Sequence, residues 1–361
     1  MGFLARLFGE ERGFEAAFLT TATPTHAGIT VTPDQAMRLS AVWSCVRLLA
    51  DTVSTLPVDV YRDGAPIATP PLLQRPAAGL ERVEWLHAVT VSLLLRGNAY
   101  GAITARSGAT LLPAQVELLD PDKVTVRRDE NGRVEYRVAG EVWPAEDLWH
   151  VRAYPVPGGV AGLSPVEYAR QAIGLGLAAE KYGARFFGDG ATPQGIITSD
   201  RPLSQNDAEN VANRWRTLHE GSRKVAVLSG GLTFTPISIN PEESQFIDTQ
   251  RFTVAQIARV FGVPPELVGG DAGNSLTYAN VESRALDFLR YSVQPWLVRL
   301  EVALSALLPR NQQVKFNPNA LLRATTAERY AAHEIALRAG FLTVDEVRAL
   351  EDLPPLEGAT A

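Results

Sequence analysis

The stretch SPVEYARQAIGLGLAAEKYGARFFG, residues 164–188, decides how the rest of the chain is read. Ser164 offers an N-cap hydroxyl, Pro165 takes the first helical position and Glu167 stands at N3, so a helix starts here. At ~1.5 Å per residue it runs about 37 Å. Ala169, Ala172, Gly174, Gly176, Ala178, Ala179, Gly183 and Ala184 crowd it with small side chains. An interior glycine costs about 1 kcal/mol relative to alanine, so close approach of another backbone is expected. A packed helix of the same chain and a copy of this helix in a ring both satisfy that demand.

Outward from this helix, the same signals recur. Asn240-Pro241-Glu242-Glu243 opens a second long helix to about Gly262, with Phe246, Ile247, Val254, Ile257 and Phe261 on one edge. Between the two lies a small α/β module, 191–239. It reads as a strand at Gly195–Thr198, an amphipathic helix at Ser204–Glu220, and strands Lys224–Ser229 and Leu232–Ile239 about Gly230-Gly231. The module sits like a head on a two-helix stalk. Upstream, a helix over Pro33–Leu56 carries the stripe Met37, Ala41, Cys45, Leu48, Leu49, Val53 and Leu56. A helix at Glu84–Arg96 follows, then strands near Tyr100–Ala105, Lys123–Arg128, Arg133–Val138 and Leu148–Val151, with a hairpin turn at Asn131-Gly132. Downstream of the stalk comes Gly269-Gly270-Asp271-Ala272-Gly273-Asn274-Ser275, then a helix over Leu276–Leu308 that Pro295 should kink. Helices at Thr325–Arg338 and Thr343–Glu351 close the chain. The fold class is α+β.

Composition narrows the chemistry. Hydrophobic residues make up 46% of 361 residues and charged residues 20%, the balance of a globular chain. The net charge of −6 argues against a broad basic face that grips nucleic acid, though not against a protein that lets DNA pass. One cysteine, Cys45, rules out an intrachain disulfide and reads as a core residue. Gly221-Ser222-Arg223-Lys224 echoes only the end of a phosphate loop, and Gly174-Leu175-Gly176 lies mid-helix, where its N–H groups are already used. His150 and Asp120-Pro121-Asp122 read as structural. No catalytic or metal residue is assigned and no cofactor is expected. Leu86–Leu95, the longest apolar run, is about half of the ~20 residues that span a bilayer. Arg214, Arg216, Arg223 and Lys224 cluster in the small module among Asp207, Glu209 and Glu220, as a solvated face or a partner surface.

Several blocks along the chain together carry a resemblance. They are Val42-Trp43-Ser44-Cys45-Val46-Arg47-Leu48-Leu49-Ala50-Asp51-Thr52-Val53 with Leu56-Pro57, then Leu95-Arg96-Gly97-Asn98-Ala99-Tyr100, His150-Val151-Arg152, Gly162-Leu163-Ser164-Pro165 and Ala191-Thr192-Pro193-Gln194-Gly195. Phe261-Gly262-Val263-Pro264-Pro265-Glu266-Leu267, Thr277-Tyr278-Ala279-Asn280-Val281-Glu282, Gln294-Pro295-Trp296-Leu297, Gly340-Phe341-Leu342-Thr343-Val344-Asp345-Glu346 and Leu353-Pro354-Pro355 continue them. In order and spacing, from about residue 35 to 355, they resemble the portal proteins of tailed double-stranded-DNA bacteriophages, in the long-tailed-phage branch.

The resemblance implies the portal fold and a ring, usually of twelve subunits, at one capsid vertex. Residues 1–30 would be an N-terminal arm, 31–162 the wing, 163–190 and 240–263 the stem helices and 191–239 the clip. Residues 264–277 would be the tunnel loop, 278–319 the kinked wing helix and the segment after it, and 320–361 a short crown. Gly269, Gly270, Asp271, Gly273, Asn274 and Ser275 would then narrow the DNA channel, and Glu242 and Glu243 would face it along the stem. Arg214, Arg216, Arg223 and Lys224 would meet clip partners, and Ala172, Gly176, Ala179 and Gly183 would pack between subunits. The partners implied are further copies, double-stranded DNA, the major capsid protein, the large terminase subunit and the head–tail adaptor, with no membrane. The implied location is the virion, assembled in a host cytoplasm, with no catalysis. The alternatives are the portal of a domesticated gene-transfer particle and, from a different class, a hydrolase with an unrecognised site.

Overall fold

The helical region expected over Pro33–Leu56 consists of two helices rather than one. The computed structural model describes residues 24–188, 195–200, 202–219, 231–236, 242–270, 278–321, 326–351 and 353–356. Helix α1 (Pro33–Ala36) is closed by a capping box between Thr32 and Gln35, and α2 (Ser40–Thr55) follows a break at 37–39. The single helix expected over Pro33–Leu56 is therefore divided. At the break Leu39 adopts extended geometry and is buried, its side chain set beside Gly176. Ala41, Val42, Cys45, Val46, Leu49 and Val53 form the buried face of α2, and Pro57 follows its end. Burial pushes the Cys45 thiol up to about 12, so it stays protonated and inert.

After α2 the chain makes β1 (Val58–Arg62), β2 (Ala65–Ile67), the short α3 (Pro71–Gln74) and α4 (Arg82–Arg96), which packs along α2. Two small sheets follow from β3 (Asn98–Arg106), β4 (Pro113–Leu119), β5 (Val124–Arg128), β6 (Val134–Val138), β7 (Glu141–Trp143) and β8 (Leu148–Arg152). Sheet order is β4-β3-β8 in one and β5-β6-β7 in another, all antiparallel. Trp85 of α4 and Trp149 of β8 meet at 5.0 Å between ring centroids, joining helix layer to sheet.

Helix α5 (Pro165–Tyr168) and helix α6 (Arg170–Gly188) replace the continuous helix expected over 164–188. The interruption is one residue wide, at Ala169, which leaves helical geometry at φ −90° and ψ 5°. Beyond it lie β9 (Gly195–Ser199), α7 (Gln205–His219) and β10 (Leu232–Pro236). β9 and β10 pair antiparallel, Leu232 opposite Ser199. The strand expected at Lys224–Ser229 lies outside the described residues. Helix α8 (Glu242–Phe261) then runs back along α6. The pair is antiparallel, because Ile173 near the start of α6 and Ile257, Ala258 and Phe261 at the end of α8 share the core.

The helix expected to kink at Pro295 changes form just before that proline. Helix α9 (Tyr278–Asp287) passes into a π-helical segment, Phe288–Val293, and then into α10 (Gln294–Ser305). Gln294 N–H reaches back to the Leu289 carbonyl, five residues away, and Pro295 sits in the first turn of the new helix. The widened turn takes up the hydrogen bond a proline cannot make. β11 (Gln312–Phe316) then returns to pair with β1, Val58 opposite Phe316, and gives a sheet of order β11-β1-β2. Trp296, Leu297 and Leu300 of α10 complete the core. Two last helices, α11 (Thr326–Ala339) and α12 (Val344–Leu350), are joined by Gly340 at φ 77° and capped by Thr343 with Glu346.

Candidate functional site

Three of the blocks quoted from the sequence converge at one place, where the sheet region hands over to the long helices. Gly97 ends α4 at φ 72°, and a Cβ there would lie 2.2 Å from the Leu163 carbonyl oxygen. A Cβ at Gly162 would lie 2.2 Å from the Ala153 oxygen and 2.3 Å from the Gly97 oxygen, so the two backbones touch through glycine alone. Asn98 stitches the crossing. Its Nδ2 donates to the carbonyls of Gly162 at 2.9 Å and Arg96 at 3.1 Å, and its Oδ1 accepts from Gly162 N–H at 2.7 Å. Ser164 Oγ donates to the Leu95 carbonyl at 2.7 Å, and the same hydroxyl accepts from Glu167 N–H as the cap of α5.

His150 extends this joint to the outer sheet. Its Nε2 lies 3.0 Å from Asn98 Oδ1 and its Nδ1 lies 3.2 Å from the Tyr136 hydroxyl. An amide oxygen only accepts, so the ring proton is on Nε2 and Nδ1 accepts from Tyr136. The Tyr100 ring stacks on the imidazole at 4.4 Å. Burial first, and the nearby Arg152 guanidinium second, bring His150 down to about 3. It is a neutral strut linking β6, β8 and β3, in keeping with the structural reading of the sequence. Asn98 and Gly162 had no role assigned from sequence; the only signal was their place in quoted blocks 64 residues apart.

A second construction frames the proposed loop. Gly262 closes α8 at φ 66°, and Val263 N–H donates to the Ala258 carbonyl at 2.9 Å. Ser292 of the π segment donates its hydroxyl to the Gly262 carbonyl. Arg284 of α9 approaches Glu266 at 3.5 Å. Gly269 takes φ 88°, and Gly270 N–H donates to the Pro265 carbonyl at 2.7 Å. A Cβ on Gly270 would stand 2.7 Å from Pro265 Cβ. Both ends of the loop are thus tied to one another before the loop departs. Asp271, Gly273, Asn274 and Ser275 lie outside the described residues. Ser292 carried no sequence signal, since its role depends on the widened turn.

The remaining candidates fall as follows. Glu242 and Glu243 are the first two residues of α8. Arg214 and Arg216 lie on α7, Arg214 exposed, and Arg223 and Lys224 lie outside the described residues. On α6, Ala172 and Ala179 are half-buried and Gly183 is buried. Gly176 meets its own chain: a Cβ there would lie 2.8 Å from the side chains of both Leu39 and Thr253. Gly174 likewise faces Thr25. The close approach that the composition demands at these glycines is made inside the chain. Among the described residues, no group of three or more His, Cys, Asp or Glu side chains is arranged to hold a metal ion. No helix among them is long and apolar enough to cross a membrane.

Comparison with known proteins bears on this architecture as a whole. The chain is 34% identical to the probable portal protein of Streptomyces phage phiC31, over 99% of this chain and 86% of that one. It is 27% identical to the portal protein of Enterobacteria phage HK97, over 91% of this chain and 82% of that one. Among solved structures, a chain from the neck of a native gene transfer agent particle, computed with C12 symmetry, superposes with a TM-score of 0.63. That match has 26% identity and covers 90% of this chain and 94% of the other. The profile of the phage portal protein family matches residues 40–352, a span holding the joint, the helix pair and the loop frame alike. A match of that extent, carried by the whole chain order rather than one motif, makes this chain a member of the phage portal protein family.

Proposed function

We propose that the chain is the subunit of a portal ring at one vertex of a capsid, a virion component that conducts double-stranded DNA inward during packaging and outward during ejection. The observation that carries this reading is extent: the family profile spans residues 40–352, and the C12 neck chain is matched over 90% of this chain. In this reading 31–162 is the wing, 163–190 and 240–263 are the stem and 191–239 is the clip. Residues 264–277 form the tunnel loop, 278–319 the kinked helix and the segment after it, and 320–361 the crown. The clip, with Arg214, Arg216, Arg223 and Lys224, receives the large terminase subunit and later the head–tail adaptor, while the wing meets the major capsid protein. Mixed charge on the clip suits partners that must be exchanged. Glu242, Glu243, Asp271 and Asn274 face the channel, where acidic and neutral groups keep phosphates from being held. The ring acts without catalysis of its own.

The test is native mass with negative-stain imaging of the purified full chain. Twelve copies of a 39.1 kDa chain give closed rings of about 470 kDa with a central hole. A chain that stays monomeric with its capsid partners present overturns the reading.

A further inference from the structure

We propose that the segment preceding Pro24 is a strap laid along α6 of its own chain, with Phe18 and Leu19 seated against the exposed stripe of Leu175 and Tyr182. The proposal concerns a single chain and stands apart from the ring reading. Leu175 is 47% exposed and Tyr182 56%. At about 100° per residue these two side chains fall within about 40° of Gln171 around the helix. They turn away from Ile173, which is fully buried in the core. A large apolar stripe is thus left on the outward side of α6.

The start of the described chain is pinned beside that stripe. Thr25 is 5% exposed, and a Cβ on Gly174 would stand 2.6 Å from its Cγ2. Thr25 N–H donates to the Ile29 carbonyl at 2.9 Å and Gly28 N–H donates to the Thr25 carbonyl at 2.8 Å, so a tight turn fixes the anchor. His26 N–H donates to Gln171 Oε1 at 3.0 Å. Gln171 lies three residues before Gly174, so the step from Thr25 to His26 runs toward the start of α6. The step from Thr25 back to Pro24 therefore points the other way, toward Tyr182. Tyr182 stands eight residues beyond Gly174, a rise of about 12 Å. A chain covers that rise in about four residues at ~3.3 Å each or about eight at ~1.5 Å each. Either way the residues brought to the level of Tyr182 fall in the window 17–21, which holds Phe18 and Leu19. Glu15 precedes Phe18 by three residues, and the exposed Lys181 borders Tyr182 on the side nearest Thr25. Opposite charges there favour the same register. A segment tethered this closely meets the stripe at an effective concentration on the order of millimolar, ahead of any free partner.

Paired cysteines in the full chain test the strap. With Ala17→Cys and Arg185→Cys, a short bismaleimide should bridge the two thiols within one chain, read as a single-chain band on a denaturing gel and a linked peptide pair by mass. Arg185 is exposed one turn beyond Tyr182. Ala17→Cys paired with Glu180→Cys, exposed on the other side of α6, should bridge at least tenfold more slowly. Buried Cys45 supplies no background. Adding Phe18→Ser and Leu19→Ser should slow the bridge to position 185 at least fivefold, whereas a loose tether would not depend on those side chains. Bridges between chains would put the segment on a second copy and overturn the strap. No bridge, or a bridge indifferent to Phe18 and Leu19, overturns it too. Native mass judges the ring reading separately, so the two can fail independently.

Discussion

At the scale of single residues, the joint at Asn98, His150 and Gly162 shows how a polar group is made safe inside a protein. Every polar atom of the Asn98 side chain and the His150 ring has a partner, and the imidazole is held neutral by burial. That neutrality has a pH signature. A histidine brought from its ordinary 6.5 down to about 3 binds fewer protons folded than unfolded. Its contribution is complete above about pH 6.5 and is lost as pH falls toward 3. Between pH 7 and 4.5 that loss is about 2–3 kcal/mol. His150→Gln cannot titrate, so urea unfolding of this variant should weaken less over that interval, by about that amount. Tyr136, Tyr100 and Arg152 face the ring and stay unchanged in both proteins, as do the carboxylates elsewhere. Parallel stability curves would refute the assignment. From sequence, His150 was legible as structural, but its partners were not, because nothing local ties residue 98 to 150 or 162.

At the scale of elements, local signals did well where they were local. Caps and prolines placed the starts of α5, α8 and α12 within a residue or two, and the stripe of α2 marked its buried side. The breaks at 37–39 and Ala169 were invisible, since they answer to packing between helices that local pattern does not encode. β11 escaped because Gln312-Gln313-Val314-Lys315-Phe316 has two apolar residues and a partner strand some 250 positions away. The strand hides a further device: Glu301 of α10 accepts from Lys315 Nζ at 3.0 Å and Phe316 N–H at 2.9 Å. The terminal helix pair depends on another carboxylate. Arg329 donates to both Glu351 oxygens at 2.8 Å, and His333 adds a third contact at 3.1 Å. These hydrogen bonds, the arginine first, bring Glu351 from 4.5 down to about 2. The tie is therefore present above pH 4.5 and lost as pH falls toward 2. Glu351→Gln removes the charge at all pH values. Amide exchange in α11 and α12 should quicken at pH 7 with the global unfolding midpoint unchanged; unchanged exchange would show that Arg329 and His333 do not hold the pair.

At the scale of the whole molecule, the question is how a ring can surround DNA without arresting it. A protein that neutralises Z phosphates releases their counterions, and log K then falls with log salt at a slope of about −0.9Z. Each chain carries a net charge of −6, and symmetry repeats whatever lines the channel in every copy. One acidic position thus becomes a ring of repulsion, and one basic position a ring of attachment. Isolated rings should bind a fluorescent duplex weakly, with a salt slope shallower than about −2, equivalent to roughly two phosphates held. Substituting Asp271→Lys and Asn274→Lys in the loop proposed to line the channel should steepen that slope by about 0.9 for each new phosphate contact and slow DNA exit from filled particles. The mixed-charge module proposed as the clip provides the control, because Arg214→Glu should leave the slope unchanged while altering partner docking. A wild-type slope steeper than that bound would mean that the channel grips its DNA. Lysines in the loop that alter neither slope nor exit would place residues 271–274 away from the axis, and the same substitution at Glu242 and Glu243, proposed to face the channel along the stem, would then be the one expected to steepen the slope.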